Sequence, residues 1–239
     1  MKPIAKVALS TLLFVTSISA HADFTLDRKF GGTDTAIETV RGSERVKALR
    51  LLDDWDKVLK NDISKDNNAT MSDSALVLGG YGMGHVTWNG RQYYVRAVVY
   101  QSAEQLREYG KKTKPIATLP GGGICALYVH DLNLNKVTAL KINLPENHHG
   151  TWCNNITGIG AAGKGREGVL VSLSYYLTEA PLAKQPADIG KGWRYMTVLI
   201  RFAQQDGKLV LTQDDACFGN PNRLEDIPSA RKALNQCEQ

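Results

Sequence analysis

Few of the usual carriers of chemistry occur in this chain. It has no Walker A sequence, no HExxH, no GxSxG and no CxxC pair. Phosphate cradles, zinc peptidase sites, nucleophile elbows and redox dithiols therefore have no footing in it. Two short motifs occur without their context. Gly158-Ile159-Gly160-Ala161-Ala162-Gly163 spells GxGxxG, yet Lys164–Gly168 follows and opens a strand, where a dinucleotide site needs a helix N-terminus. It reads as a glycine-rich turn. Ser229-Ala230-Arg231-Lys232 spells SxxK, but neither SDN nor KTG completes that serine–lysine site.

Charge is equally uninformative about nucleic acid or membranes. The formal net charge is +5 and its Lys and Arg residues are scattered, so neither nucleic acid nor an anionic membrane is an expected partner. No stretch after the N-terminus is long and apolar enough for a membrane helix, and no fixed repeat period recurs.

What is present begins at the N-terminus. Lys2 and Lys6 precede a short apolar run, Val7–Val15, and Ala20-His21-Ala22 supplies an A-x-A cleavage site. Residues 1–22 read as a secretory signal. The expected product is a soluble periplasmic or secreted chain, residues 23–239, long enough for one large domain with a real core. Cleavage removes Lys2 and Lys6 and leaves a formal charge of +3.

All four cysteines, Cys125, Cys153, Cys217 and Cys237, lie beyond the cleavage point. An even count in an oxidising compartment predicts two disulfides. Nearest-neighbour pairing favours Cys125–Cys153 and Cys217–Cys237 among the three connectivities.

Strand signals dominate. Asn89-Gly90 sits between two alternating runs, the signature of a type I′ hairpin, because that turn needs φ > 0 at both central residues. A two-residue loop pairs Trp88 with Arg91, Val86 with Tyr93 and Gly84 with Val95. One face then carries Val86, Trp88, Tyr93, Val95, Ala97 and Val99, with Arg91 placed to lie over the Trp88 ring. The other face, with His85, Thr87, Gln92, Tyr94 and Arg96, is expected to meet solvent. A strand near Ala75–Leu78 leads into this hairpin through Gly79–Gly84, whose glycines suggest tight turns or close backbone approach. A second hairpin is expected over Ile124–His130 and Lys136–Leu144, and a strand at Gly168–Leu177. A third hairpin turns on Asp206-Gly207, with Gln205 opposite Lys208.

Helices are fewer. Ser43 is a good N-cap, and Ala48, Leu51, Leu52, Trp55, Val58 and Leu59 form one stripe of an amphipathic helix over Ser43–Asn61. Asn61–Ser72 reads as a polar loop and Ser102–Tyr109 as a short helix closed by Gly110. Thr178–Lys191 is a Pro- and Ala-rich connection. Near Ile227–Cys237 a short C-terminal helix carries Pro228 in its first turn. The sum is a β-dominated α+β fold with antiparallel sheets built from hairpins, the alternative being a small or partial β-propeller.

The stretch richest in reactive groups is Pro145–Cys153, which holds Glu146, His148, His149 and Trp152 on one apparent loop. Adjacent histidines on extended chain point oppositely, so no metal site is expected; Cys153 is a disulfide half. No cofactor is expected either. The expectation is a non-catalytic binding protein whose partner is another protein, in the manner of an inhibitor or immunity protein neutralising a hydrolase or toxin. Its surface would comprise Glu146, His148, His149 and Trp152 with Tyr81 and Met83. Two alternatives stand beside it. One is a periplasmic hydrolase using His148 or His149 as base with Asp214 or Asp215 orienting it. The other is a carbohydrate binder stacking sugars on Trp88, Tyr93, Trp152 and Trp193.

Overall fold

A computed structural model describes residues 24–27, 43–66, 77–100, 123–145, 151–177 and 193–237. The signal-like residues 1–22, the short helix expected at 102–109 and the connection 178–191 lie outside the described residues. So do Glu146, His148 and His149.

Two antiparallel sheets and two helices make up the described chain. The first sheet runs in the order β1 (Thr25–Asp27), β2 (Val77–Trp88), β3 (Arg91–Tyr100), β4 (Ile124–His130) and β5 (Lys136–Lys141). The second runs β6 (Thr151–Ala161), β7 (Gly168–Leu177), β8 (Trp193–Gln205) and β9 (Lys208–Asp214). Helix α1 spans Ser43–Asp66 and α2 spans Ile227–Cys237. Every strand pairs with its neighbour in sequence, so each sheet is a meander.

Turn chemistry sets the registers. Asn89 and Gly90 have φ of 51° and 69°, and Trp88 faces Arg91, Val86 faces Tyr93 and Gly84 faces Val95. Asp206 and Gly207 repeat this with φ of 51° and 74°, and Gln205 faces Lys208. Alternation then turns Val86, Trp88, Val95 and Val99 of the first sheet toward Val171, Leu173, Val198 and Ile200 of the second. The sheets stack on this shared core rather than radiating as propeller blades. Cys125 and Cys153 are bonded across it, both buried, with Cα atoms 5.4 Å apart. The Cys217–Cys237 bond is also present and ties α2 to the segment after β9.

The seam between the sheets is closed by backbone contacts. Gly123 and Cys153 exchange both hydrogen bonds, at 3.1 and 2.8 Å. A Cβ on Gly123 would lie 2.4 Å from the Cys153 carbonyl oxygen, so only glycine permits this approach. At the other side, the Gln213 side-chain amide accepts from Asn143 N–H and donates to Asn143 O.

Each outer face meets one helix. On α1, Trp55, Leu59 and Ile63 are buried at i, i+4 and i+8 against Val98, Tyr100, Ala126 and Tyr128 of the first sheet. Ala48 and Leu52, also assigned to this stripe, have side chains outside the described residues. On α2, Ile227, Ala230 and Leu234 cover Ala162, Leu170 and Leu199 of the second sheet. Asp226 caps this helix, its carboxylate accepting the Ser229 N–H at 2.7 Å.

Four expectations are corrected. Helix α1 continues past Asn61 to Asp66, because Ile63 supplies one more buried turn. Strand β2 runs through Gly79–Gly84 with register shifts rather than tight turns, while the expected close approach holds at Gly84, where a Cβ would lie 2.6 Å from the Leu26 side chain. Gly158 and Gly160 of the GxGxxG stretch lie within β6, and the turn comes only after Ala161. The face bearing Tyr94 and Arg96 is not simply solvated: Arg96 pairs with Asp56 and lies 5.9 Å over the Trp55 ring of α1. The Trp88 indole, beside which Arg91 is the paired residue across the turn, donates its N–H to Glu167 Oε2 at 2.5 Å.

Candidate binding surface

Strand alternation arranges the outer face of the second sheet in rows. Inner positions Val169, Val171, Leu173 and Tyr175 belong to the shared core, so Leu170, Ser172, Ser174 and Tyr176 face outward. At one end Leu170 and Leu199 lie under α2. In the next row Gly158, Ser172 and Thr197 stand opposite one another. Here the segment after β9 crosses the sheet. Asn222 bonds both Thr197 N–H and Thr197 O, and the Thr197 hydroxyl donates to Leu224 O. Ser172 and Thr197, both buried, share a hydroxyl contact at 2.7 Å.

Beyond that crossing the face opens. Asn155, Ser174 and Tyr195 form one row, with the Asn154 amide donating to Ser174 Oγ. Trp152, Tyr176 and Trp193 form the last row across β6, β7 and β8. Trp152 stacks on Tyr176 at 4.7 Å and 23°, and Tyr176 meets Trp193 edge-to-face at 5.0 Å and 72°. Such pairs contribute about 0.5–1.5 kcal/mol each beyond their buried area, which holds the row in place without a partner. Trp193 and Tyr195 are nonetheless 37% and 46% exposed. Toward α2 the face continues into a cleft of about 310 Å³ whose lining includes Thr157, Ser172, Glu225, Asp226 and Arg231.

Of the residues singled out in the sequence, Trp152 lies in this row. Glu146, His148 and His149 immediately precede β6 and lie outside the described residues. Tyr81 and Met83 belong to β2 of the other sheet, where Tyr81 pairs with Ala97, and their side chains are outside the described set. Trp88 and Tyr93, proposed with Trp152 and Trp193 for sugar stacking, are 4% and 6% exposed and belong to the core. Tyr176 and Tyr195 were overlooked. Their signal is Ser172-Leu173-Ser174-Tyr175-Tyr176 read with Trp193-Arg194-Tyr195: two strands whose outward positions turn aromatic at the same end.

Among the described residues, three groups suited to acid–base chemistry are engaged elsewhere. Asp214 accepts from Arg201 Nε at 2.9 Å and from Ala216 N–H at 3.1 Å. Partial burial opposes its charge, but these two partners outweigh it and hold the carboxyl below the usual range. Asp215 accepts from the Gln213 and Asn220 amides. His130 is fully buried beneath α1. Among the described residues no three His, Cys, Asp or Glu side chains converge as a metal site would require, and no helix is long and apolar enough to cross a membrane.

Set against protein-family models, curated proteins and solved structures, the chain matches none of them.

Proposed function

We propose that this chain is an exported, non-catalytic binding protein. Its mature part, residues 23–239, acts as one disulfide-stabilised domain that meets a protein partner through the open end of the second sheet. An inhibitor or immunity role, neutralising a periplasmic hydrolase or toxin, fits a small exported binder with no catalytic constellation assembled among the described residues. The observation that carries the reading is the exposed pair of Trp193, which continues the Trp152–Tyr176 row, and Tyr195 in the row beside it. Tryptophan and tyrosine dominate the energetics of protein interfaces because they bury much area at little entropic cost. Two disulfides support an oxidising compartment, periplasmic or extracellular.

The test is capture of partners by the tagged, oxidised chain from periplasmic and secreted extracts. One protein recovered near 1:1 is expected, with affinity reduced at least about thirtyfold by Trp193→Ala, the scale of a hot-spot residue. Recovery of a partner whose affinity ignores both Trp193→Ala and Tyr195→Ala would reject this surface. A second reading rests on the same rings standing beside Asn155 and Ser174, a mixture suited to sugars. Saturable glycan binding that Trp193→Ala abolishes, with no protein captured, would put that reading in its place.

A further inference from the structure

Both ring nitrogens of the buried His130 are held by α1. Trp55 Nε1–H donates to Nδ1 at 3.0 Å, and Nε2 lies 2.9 Å from Asp62 Oδ2. An indole N–H can only donate. Nδ1 therefore presents a lone pair, and the single ring proton sits on Nε2, donated to the carboxylate. The neutral imidazole is fully satisfied. A second proton must enter at Nδ1, where it would face the indole N–H, donor against donor, with Trp55 and His130 both sealed from water.

The surroundings pull in both directions. From α1, Asp62 favours a charged ring, while Asp56 is paired with Arg96 and Asp66 with Lys136 and the Tyr128 hydroxyl. From β3, Arg96 lies over the Trp55 ring, Tyr94 packs against that ring, and Tyr100 lies close to Tyr128. Tyr128 of β4 stacks on the imidazole at 6.3 Å, and His85 of β2 packs on Tyr94. Lys136 of β5 disfavours the charge and Asp131 favours it. Burial is the largest influence and keeps the His130 imidazole below its ordinary range, Asp62 notwithstanding.

We propose that His130 is an acid-released latch: neutral, it ties α1 to the first sheet, and protonated, it lets the helix go while the sheets stay packed. Release stays local for a geometric reason. The cluster under α1 (Trp55, Leu59 and Ile63 on Val98, Tyr100, Ala126 and Tyr128) is separate from the core between the sheets. The Cys125–Cys153 bond crosslinks that second core and does not touch the helix. The sign follows from proton linkage. The released histidine titrates near its ordinary value and the latched one lower, so release takes up one proton as pH falls below about 6.5.

The experiment is hydrogen exchange of the full oxidised chain, read as protection factors from pH 8 to pH 4, with nitrogen-15 spectra of the imidazole. Below about pH 6.5, α1 protection should fall about tenfold per pH unit while β6–β9 stay protected, since one proton is taken up. The imidazole should carry its proton on Nε2 at neutral pH. His130→Gln can accept from Trp55 and donate to Asp62 without titrating, and should abolish the fall. Asp62→Asn keeps an acceptor for Nε2–H but removes the charge that favours imidazolium, and should move the His130 titration to lower pH. The idea fails if α1 and the sheets lose protection together, if α1 protection stays flat while His130 titrates, or if His130→Gln follows the unaltered chain. Should His130→Gln not fold, an unshifted Asp62→Asn titration would overturn the latch equally.

Discussion

Consider replacing Cys217 and Cys237 by serine, and in a second variant Cys125 and Cys153. The two bonds close loops of similar size, with sequence separations of 20 and 28. On the chain-entropy account their contributions are about 3.3 and about 3.6 kcal/mol, a difference too small to measure. Loop size therefore predicts equal damage, and surroundings decide otherwise. Cys237 is exposed and Cys217 half-buried, so serines there find water. Cys125 and Cys153 are 1% and 2% exposed inside the apolar core. A serine hydroxyl stranded there costs about 1–3 kcal/mol, and two such groups raise the total to roughly 6–10 kcal/mol. That approaches the ~5–15 kcal/mol by which a typical domain is folded. The surface variant should fold and unfold cooperatively in guanidinium at a lowered midpoint; the core variant should lack native near-ultraviolet dichroism in buffer. Equal losses in the two variants would show that burial does not govern the outcome.

Gly123→Ala should cost about 1–3 kcal/mol in denaturant unfolding, since its Cβ must displace the Cys153 carbonyl or Val99 from positions 2.4 and 2.6 Å away. Thr197→Val removes the acceptor of one buried hydroxyl and the donor to Leu224 O, for a loss of about 1–3 kcal/mol. Adding Ser172→Ala to it should cost less than Ser172→Ala alone, and strict additivity in the cycle would argue against a coupled chain. At Asp226, the Ser229 backbone N–H and hydroxyl hold the carboxyl below its usual range. Its contribution to α2 is present above the ordinary carboxylate pKa and lost as pH falls through the folded value. Asp226→Ala should lower the melting temperature at neutral pH and match the unaltered chain in strong acid.

Sequence reading succeeded where one residue pair imposes geometry. Asn89-Gly90 and Asp206-Gly207 force positive φ, and positive φ fixes register, so Val86↔Tyr93 and Gln205↔Lys208 follow from the turns alone. Cysteine proximity was enough for both disulfides. It failed where tertiary contacts override a local signal. Glycine marks turns in most strands, but Gly158 lies in β6 close under Ile227 of α2, where a Cβ would sit 3.5 Å from that side chain. Asp62 looked like part of a polar loop because its partner, His130, lies 68 residues away. The aromatic row was half legible for the same reason. Trp152 and Trp193 stand out singly, but their alignment through Tyr176 depends on the two register shifts in β6.

The seam that joins the sheets also has a place in time. Both sheets are meanders, so a chain arriving N-terminus first can complete each pairing with strands already present. Cys125 lies on the penultimate strand of the first sheet and Cys153 on the opening strand of the second. Their bond can therefore form before Cys217 and Cys237 exist as rivals. In a chain exported N-terminus first, order of arrival would then do the work of an isomerase: of three possible pairings, the first two cysteines to emerge leave one.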